Sequence, residues 1–272
     1  PSLLSDIKNK KTKLSTGPLK IILSDSGICN LHCKMCYRYF VPEDENFSSQ
    51  LIKKKLPEFL ELDPKRNLTI KLAGNGEVFF QKNKREFLQN FPPEKYPHVY
   101  FEILTNGLLL TPKMWRTISH NKIKEINVSV DAASKSTYEK IRKGGNWERL
   151  LENLRFIGNL RREHKIGYFY INMVVMRSNY QEMKEFVLLA KSLGCDEANF
   201  QKVTGMFNLE ENINDFPDPK ISKEIAEILK DPIFKGEKNF LVNILQLKDY
   251  LYYQPKYFQE LITKIKLFAW KN

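Results

Sequence analysis

The alternation of strand-like and helix-like segments between residues 18 and 203 restricts the fold of this chain more than any other feature. Six short runs rich in β-branched and aromatic residues are PLKIILSDSG (18–27), NLTIKLAGNGEVFF (67–80), HVYFEILTNG (98–107), IKEINVSVDAA (123–133), YFYINMVVM (168–176) and CDEANFQKV (195–203). Segments with apolar residues at helical spacing separate these runs. The alternation predicts βαβ units and a parallel sheet, in which the loops after the strands share one face.

The helical segments have recognisable ends and breaks. Residues 48–62 predict a helix that Pro57 kinks. Ser136 and Glu139 have the spacing of a capping box, and an amphipathic helix after the fifth strand is expected to end at Gly194.

Composition and charge narrow the setting. The 272 residues include 42% hydrophobic ones but no apolar run long enough for a membrane span and no apolar leader, so we expect a cytoplasmic globular protein. The net charge of +12 suggests acidic partners. The lysines at positions 8, 10, 11 and 13 favour a solvated or disordered arm over a nucleic-acid site.

Three of the four cysteines lie in CNLHCKMCY, residues 29–37. Disulfides between such close neighbours would be strained, so the thiols are interpreted as metal ligands. Structural zinc needs four ligands, but Cys195 opens a distant strand and His32 is too close to its neighbours in the chain. Three thiolates on a [4Fe–4S] cluster leave one iron for a small molecule. The spacing therefore favours the cluster over zinc.

Cys29, Cys33 and Cys36, followed by the aromatic Tyr37, resemble the signature of the radical S-adenosylmethionine (SAM) superfamily. The resemblance continues in AGNGEVF (73–79), ILTNG (103–107), VSVDAASKSTYEKIRKGGNWERLLENL (128–154) and VVMRSNYQEMKEFVLLAKSLGCDEANFQKV (174–203). It implies an α/β fold, a partial (β/α)6 TIM-like barrel over residues 18–205. A basic N-terminal arm (1–17) would precede the barrel, and a C-terminal helical extension (206–272) would follow it.

The resemblance also implies an activity. A [4Fe–4S] cluster on Cys29, Cys33 and Cys36 would bind and reductively cleave SAM, and the resulting 5′-deoxyadenosyl radical would abstract hydrogen from a sugar, peptide or related small molecule. The chain resembles members with a SPASM or twitch extension, yet no cysteine follows Cys195. That difference favours a redox-neutral outcome such as epimerisation. Dehydrogenation or oxidation, and a non-enzymatic iron–sulfur or zinc module, are the alternatives.

The same resemblance places SAM contacts at motif positions. The expected SAM-binding residues are Tyr37, Gly74, Asn75, Gly76, Glu77, Thr105, Asn106, Ser129, Asp131, Asn172 and Arg177. Simpler roles remain open for several of them. The glycines suit a tight turn, Asp131 suits a strand-end hydrogen bond and a helix cap, Asn106 suits an Asn-Gly turn, and Arg177 suits a solvated loop.

The remaining expectations concern one cysteine, the tail and the partners. Cys195 should lie at the amino-terminal end of its strand, which favours a buried structural thiol over a hydrogen-atom donor. The helical stripe of Phe258, Leu261, Ile262, Ile265 and Phe268 is expected to cover the open side of the barrel, with docking to a membrane surface as the alternative. An acidic flavodoxin or ferredoxin would be the electron donor.

Overall fold

The computed structural model describes residues 3–12, 16–36, 45–72, 74–203, 210–213 and 218–247. The chain forms two compact units. The first comprises Pro1–His32, Cys36–Ser129 and Gly144–Phe169, and the second comprises Cys33–Met35, Val130–Lys143 and Tyr170–Asn272. The three-part division into arm, barrel and extension remains a prediction.

Helices and strands alternate along the described residues. The strands are β1 (Lys20–Leu23), β2 (His32–Cys33), β3 (Leu68–Leu72), β4 (Val99–Thr105), β5 (Ile123–Ser129), β6 (Arg142–Lys143), β7 (Tyr168–Val175), β8 (Glu197–Lys202) and β9 (Leu241–Asn243). The helices are α1 (Leu3–Lys8), α2 (Glu45–Gln50), α3 (Leu56–Leu60), α4 (Lys82–Asn90), α5 (Pro112–Ile118), α6 (Lys135–Ile141), α7 (Trp147–Arg162), α8 (Met183–Leu193) and α9 (Pro219–Leu229).

Each of the two units contains a set of parallel strands. In the first unit β1, β3, β4 and β5 pair in that order and run parallel. In the second unit β8 pairs in parallel with both β7 and β9. The predicted α/β class is therefore confirmed, with the mostly parallel strands and intervening helices of a partial barrel. Strand β9 is an addition, because the sequence analysis predicted no strand in the C-terminal extension.

The apolar stripes found in the sequence form the cores of the two units. In β3 the buried positions alternate with half-buried ones, as expected of a strand with one apolar face. The buried face of α8 includes Met183, Phe186 and Ala190, and the helix ends at Gly194, whose φ of 74° is left-handed. The predicted end of this helix is confirmed.

Several local predictions differ from the structure. Ser134, not Ser136, caps α6, since its side chain accepts a hydrogen bond from the Thr137 amide. The helix predicted over 48–62 is broken by a π-helical turn at Leu51–Lys55, with Pro57 in the first turn of α3. Proline is tolerated there because the first amides of a helix have no helical partner.

Part of the predicted N-terminal arm lies within the described residues, so its structure can be compared with the prediction. Residues 3–8 of the predicted arm form α1, and Lys11 pairs with the buried Asp6 at 2.9 Å, so this part of the arm is ordered. The C-terminal apolar stripe lies outside the described residues. Within the described ranges, no helix combines the length and apolar character needed to cross a bilayer.

A buried ion pair joins α4 to the loop after β1. Lys84 Nζ lies 2.8 Å from Asp25 Oδ1, and the two side chains are only 1% and 2% exposed. Burial lowers the pKa of Lys84, while Asp25 and Glu77 oppose that shift. Such a pair tolerates joint replacement far better than the loss of one partner, because a single loss leaves an uncompensated buried charge.

We expect Lys84→Met to lower the free energy of unfolding by about 3–5 kcal/mol, because Asp25 would lose its counter-charge inside the protein. Urea denaturation followed by circular dichroism measures the change. The double variant D25N/K84M should recover most of the loss. Lys82→Met, at an exposed position of the same helix, is the control, and an equal loss in both single variants would contradict the prediction.

Candidate functional site

The loop after β1 carries the three clustered cysteines. Their side chains are half-buried, and none of the chain's four cysteines, all within the described residues, is in a disulfide. The Leu31 amide points at the sulfur of Cys29, with 3.5 Å between nitrogen and sulfur. Cys33 belongs to the short strand β2, in the second unit.

The glycine segment after β3 packs directly on this loop. A Cβ at Gly76 would lie 2.3 Å from the carbonyl oxygen of Ile28, and a Cβ at Gly74 would lie 1.8 Å from Ser24 Oγ. Both glycines also have left-handed φ values, 72° and 88°. Only glycine permits this approach of backbone to backbone. The glycines therefore form the predicted tight turn, and the turn packs closely on the cysteine loop.

Gln81 ties the glycine segment to the cysteine loop. Its Nε2 donates to the carbonyl oxygens of Ser26 at 3.0 Å, Ile28 at 3.3 Å and Asn75 at 3.1 Å. This residue could not be identified from the sequence, because a single glutamine after an apolar run forms no recognisable pattern. The carbonyl groups of Ser26, Ile28 and Asn75 have no β-sheet partners, and the side chain of Gln81 supplies hydrogen-bond donors to them.

Glu77 connects the same segment to the end of β4. Its Oε1 accepts from Thr105 Oγ1 at 2.6 Å and from the Phe79 amide at 3.3 Å, while Oε2 accepts from the Asn106 amide at 2.7 Å. The side chain is fully buried. Glu77 and Thr105, predicted as separate SAM contacts, thus also bind each other.

Asn106 extends this network to the first cysteine. Its Nδ2 lies 3.9 Å from Cys29 Sγ and donates to Asn30 Oδ1 at 2.9 Å. Its Oδ1 accepts from the Leu108 amide. Asn106 and Gly107 therefore form the Asn-Gly turn that was the simpler alternative for Asn106. The side-chain amide of Asn106 also points at the sulfur of Cys29.

In the second unit Asp131 and Arg142 form a buried pair beside Cys33. Arg142 Nη2 lies 2.5 Å from Asp131 Oδ2, and Arg142 Nη1 lies 3.6 Å from Cys33 Sγ. Asp131 Oδ1 accepts from the Val174 amide at 2.7 Å. Strand β5 ends at Ser129, and Asp131 lies two residues beyond that end with a φ of 63°.

The charges of this pair are coupled. Burial acts to lower the pKa of Arg142, but the combined effects of Asp131, Cys33 and Tyr138 leave that pKa raised, so the guanidinium stays charged. Burial raises the pKa of Asp131, against the opposing effects of Arg142 and the Val174 amide. Asp131 was predicted from the sequence but Arg142 was not, because the only signal for Arg142 was its place in the helical segment after the fourth predicted strand.

The remaining residues predicted to bind SAM are Asn172, Arg177, Ser129 and Tyr37. Asn172 in β7 accepts from Asn199 Nδ2 at 2.6 Å and donates to Gln201 Oε1 at 3.2 Å. Arg177 is exposed and pairs with Asp218 at the start of α9, at 3.1 Å, which fits its simpler role as a surface loop residue. Ser129 is half-buried at the end of β5, and Tyr37 lies outside the described residues.

Cys195 has the surroundings of a structural thiol. It is 7% exposed and precedes β8, and burial raises its thiol pKa. A thiol that resists ionisation in apolar surroundings is a weak metal ligand and nucleophile.

The residues of the cysteine loop fit an iron–sulfur cluster. Three thiols lie within eight positions of the sequence. In the first unit, N–H donors of Leu31 and Asn106 point at Cys29, and in the second unit an N–H donor of Arg142 points at Cys33. Such donors are typical of groups that orient cluster ligands and tune the cluster. The donor set therefore suits the predicted [4Fe–4S] group.

Comparisons with solved structures support the same fold. SuiB of Streptococcus suis, solved with S-adenosylmethionine bound, superposes with a TM-score of 0.64 at 17% identity, over 88% of this chain and 52% of SuiB. The enzyme anSMEcpe, solved with AdoMet bound, gives a TM-score of 0.55 at 19% identity over 79% of this chain and 57% of its own. The chain thus spans about half the length of these proteins.

Sequence comparison gives relatives and a family. A probable GTP 3′,8-cyclase of Methanocaldococcus jannaschii is 19% identical over 83% of this chain and 74% of its own length. Another from Saccharolobus islandicus is 25% identical over 62% of this chain and 52% of its own. The Radical SAM superfamily model matches residues 23–190, which include the three clustered cysteines and the network around Glu77. This match confirms the predicted resemblance: the chain belongs to the Radical SAM superfamily.

Proposed function

We propose that this chain is an enzyme that reductively cleaves SAM at a [4Fe–4S] cluster held by Cys29, Cys33 and Cys36, and then abstracts a hydrogen atom from a substrate. The bound cluster would supply one electron to SAM, which yields methionine and a 5′-deoxyadenosyl radical. The protein would supply binding, orientation and exclusion of water.

The hydrogen-bonded network of the first unit is the observation that carries the proposal. Gln81 and Glu77 join the glycine segment, the end of β4 and the loop of Cys29 into one structure. All three segments follow parallel strands, and parallel α/β folds place their ligands at the carboxyl ends of strands. We assign SAM to this place, with the backbone of Gly74–Gly76 nearest to its methionine part.

Reconstitution without oxygen should give about four irons per chain and, after reduction and addition of SAM, 5′-deoxyadenosine detectable by chromatography. Cys33→Ala should lose the cluster and its product, because only two clustered thiols remain. Cys195→Ala is the matched control and should retain both. Bound zinc, or a reduced cluster that leaves SAM intact, would favour the binding-module alternative.

Glu77→Gln should weaken SAM binding at least about tenfold, because the carboxylate accepts charge-assisted hydrogen bonds that are worth about 1.5–3 kcal/mol each. A glutamine amide must turn a donor toward either Thr105 or the Asn106 amide. Equilibrium dialysis with the reconstituted protein measures the affinity. The exposed Glu58→Gln is the control, and equal affinity in both variants would refute a positioning role for Glu77.

We propose a peptide as the substrate class. SuiB has been solved with its precursor peptide SuiA and superposes over 90% of this chain with a TM-score of 0.63, and anSMEcpe has been solved with the Cp18Cys peptide. The second candidate is a small molecule, either a sugar or an acidic nucleotide. The relatives named GTP 3′,8-cyclase and the net charge of +12 favour the nucleotide.

Deuterium transfer should separate the two substrate classes. With a uniformly deuterated tryptic digest as the probe, we expect 5′-deoxyadenosine one mass unit heavier, because the radical would take a deuterium atom from the peptide. With ribose-deuterated GTP we expect product of unchanged mass. Mass spectrometry measures both, and the reverse pattern would establish the nucleotide candidate.

The proposal also covers the step after hydrogen abstraction and the source of the electron. Epimerisation returns a hydrogen atom to the substrate radical, whereas oxidation removes a further electron, so deuterium gained from heavy water would support epimerisation. The basic chain suits an acidic one-electron donor such as a flavodoxin or ferredoxin. A reduction rate that is independent of salt concentration would argue against such docking.

A further inference from the structure

Arg142 occupies a fixed position beside the second cysteine of the loop. It follows α6 in the chain, and the Lys34 amide donates to the Ile141 carbonyl oxygen at 2.9 Å, which aligns the residues next to Cys33 with those next to Arg142. The two terminal nitrogens of its guanidinium contact different groups. Nη2 binds Asp131 and Nη1 faces Cys33 Sγ.

Asp131 is itself held firmly. Its carboxylate accepts from the Val174 amide, and its own carbonyl oxygen accepts from Asn179 Nδ2 at 2.8 Å. Its positive φ is uncommon for a residue other than glycine and persists only where the surroundings hold it. The surrounding contacts therefore fix the acceptor that orients Arg142.

We propose that Arg142, oriented by Asp131, positions the Cys33 thiolate and makes the iron–sulfur cluster easier to reduce. This inference rests on the proposed function. Reduction adds one electron from an external one-electron donor, with no bond made or broken, and so increases the negative charge on the cluster and its thiolates. A buried N–H donor on a cationic group stabilises that additional charge.

Asp131 and Cys33 use different nitrogens of the guanidinium. Nη2 contacts the carboxylate, while Nη1 contacts the sulfur. The carboxylate therefore orients the guanidinium without occupying the nitrogen that faces Cys33. Burial of both side chains limits screening by water.

The test is a redox titration of the reconstituted cluster, without SAM, followed by electron paramagnetic resonance. The variants are Arg142→Gln, Arg142→Lys and the control Lys143→Gln, which removes one positive charge from an exposed neighbour. At the wild-type midpoint, R142Q should show an about tenfold lower ratio of reduced to oxidised cluster, a shift of about 59 mV for one electron. K143Q should match the wild type, and R142K should lie between the two.

The other results of the titration also decide whether the proposal stands. If R142Q fails to fold or load, D131N/R142Q replaces it, since a neutral pair leaves no unpaired buried charge. A midpoint equal to that of K143Q overturns the inference. So does failure of both variants to load, because Arg142 would then be needed only to assemble the site. If the wild type binds no cluster or leaves SAM intact, the proposed function fails instead.

Discussion

The close contact between the glycine segment and the cysteine loop is the constraint on which the first unit's site depends. The cysteine loop has little regular secondary structure, so its carbonyl groups need partners from elsewhere. The Glu77 amide and Gln81 Nε2 provide them at Ile28, and the absence of a Cβ at Gly76 makes the approach possible. The Glu77 amide and Gln81 Nε2 connect the glycine segment to the Cys29 loop. A displacement of the Cys29 loop would therefore also displace the proposed SAM-binding turn.

Among the described residues, each unit carries a buried ion pair next to this chemistry. Lys84–Asp25 fixes the start of the cysteine loop in the first unit, and Arg142–Asp131 lies beside Cys33 in the second. Buried pairs contribute little net stability, since desolvation offsets most of their attraction. Their effect is geometric: a charged donor and a charged acceptor accept few alternative partners in an apolar interior. Both pairs therefore specify position more than they stabilise the fold.

The sequence predicted those parts of the structure that repeat or that follow chemical rules. Periodicity located the strands and long helices, and cysteine spacing indicated the three thiols that are proposed to hold the cluster. The runs quoted for the second and fourth strands extend past the ends of β3 at Leu72 and β5 at Ser129, because each run also includes the turn residues that follow its strand. Gln81 and Arg142 could not be found, because each acts through contacts with chain segments distant in sequence. Long-range pairing of single polar residues leaves no local pattern.

The amide network on β7 and β8 limits what Asn172 can do. Its Oδ1 already accepts from Asn199 and its Nδ2 already donates to Gln201, which leaves one lone pair and one N–H. The neighbours fix the orientation of the amide, since turning it over would set Asn172 Nδ2 against the donor Asn199 Nδ2 and its Oδ1 against Gln201 Oε1. If Asn172 contacts SAM as proposed, SAM must offer it one donor or one acceptor at a set angle. Such a site selects by geometry, because a ligand with the wrong group would leave a buried amide unsatisfied.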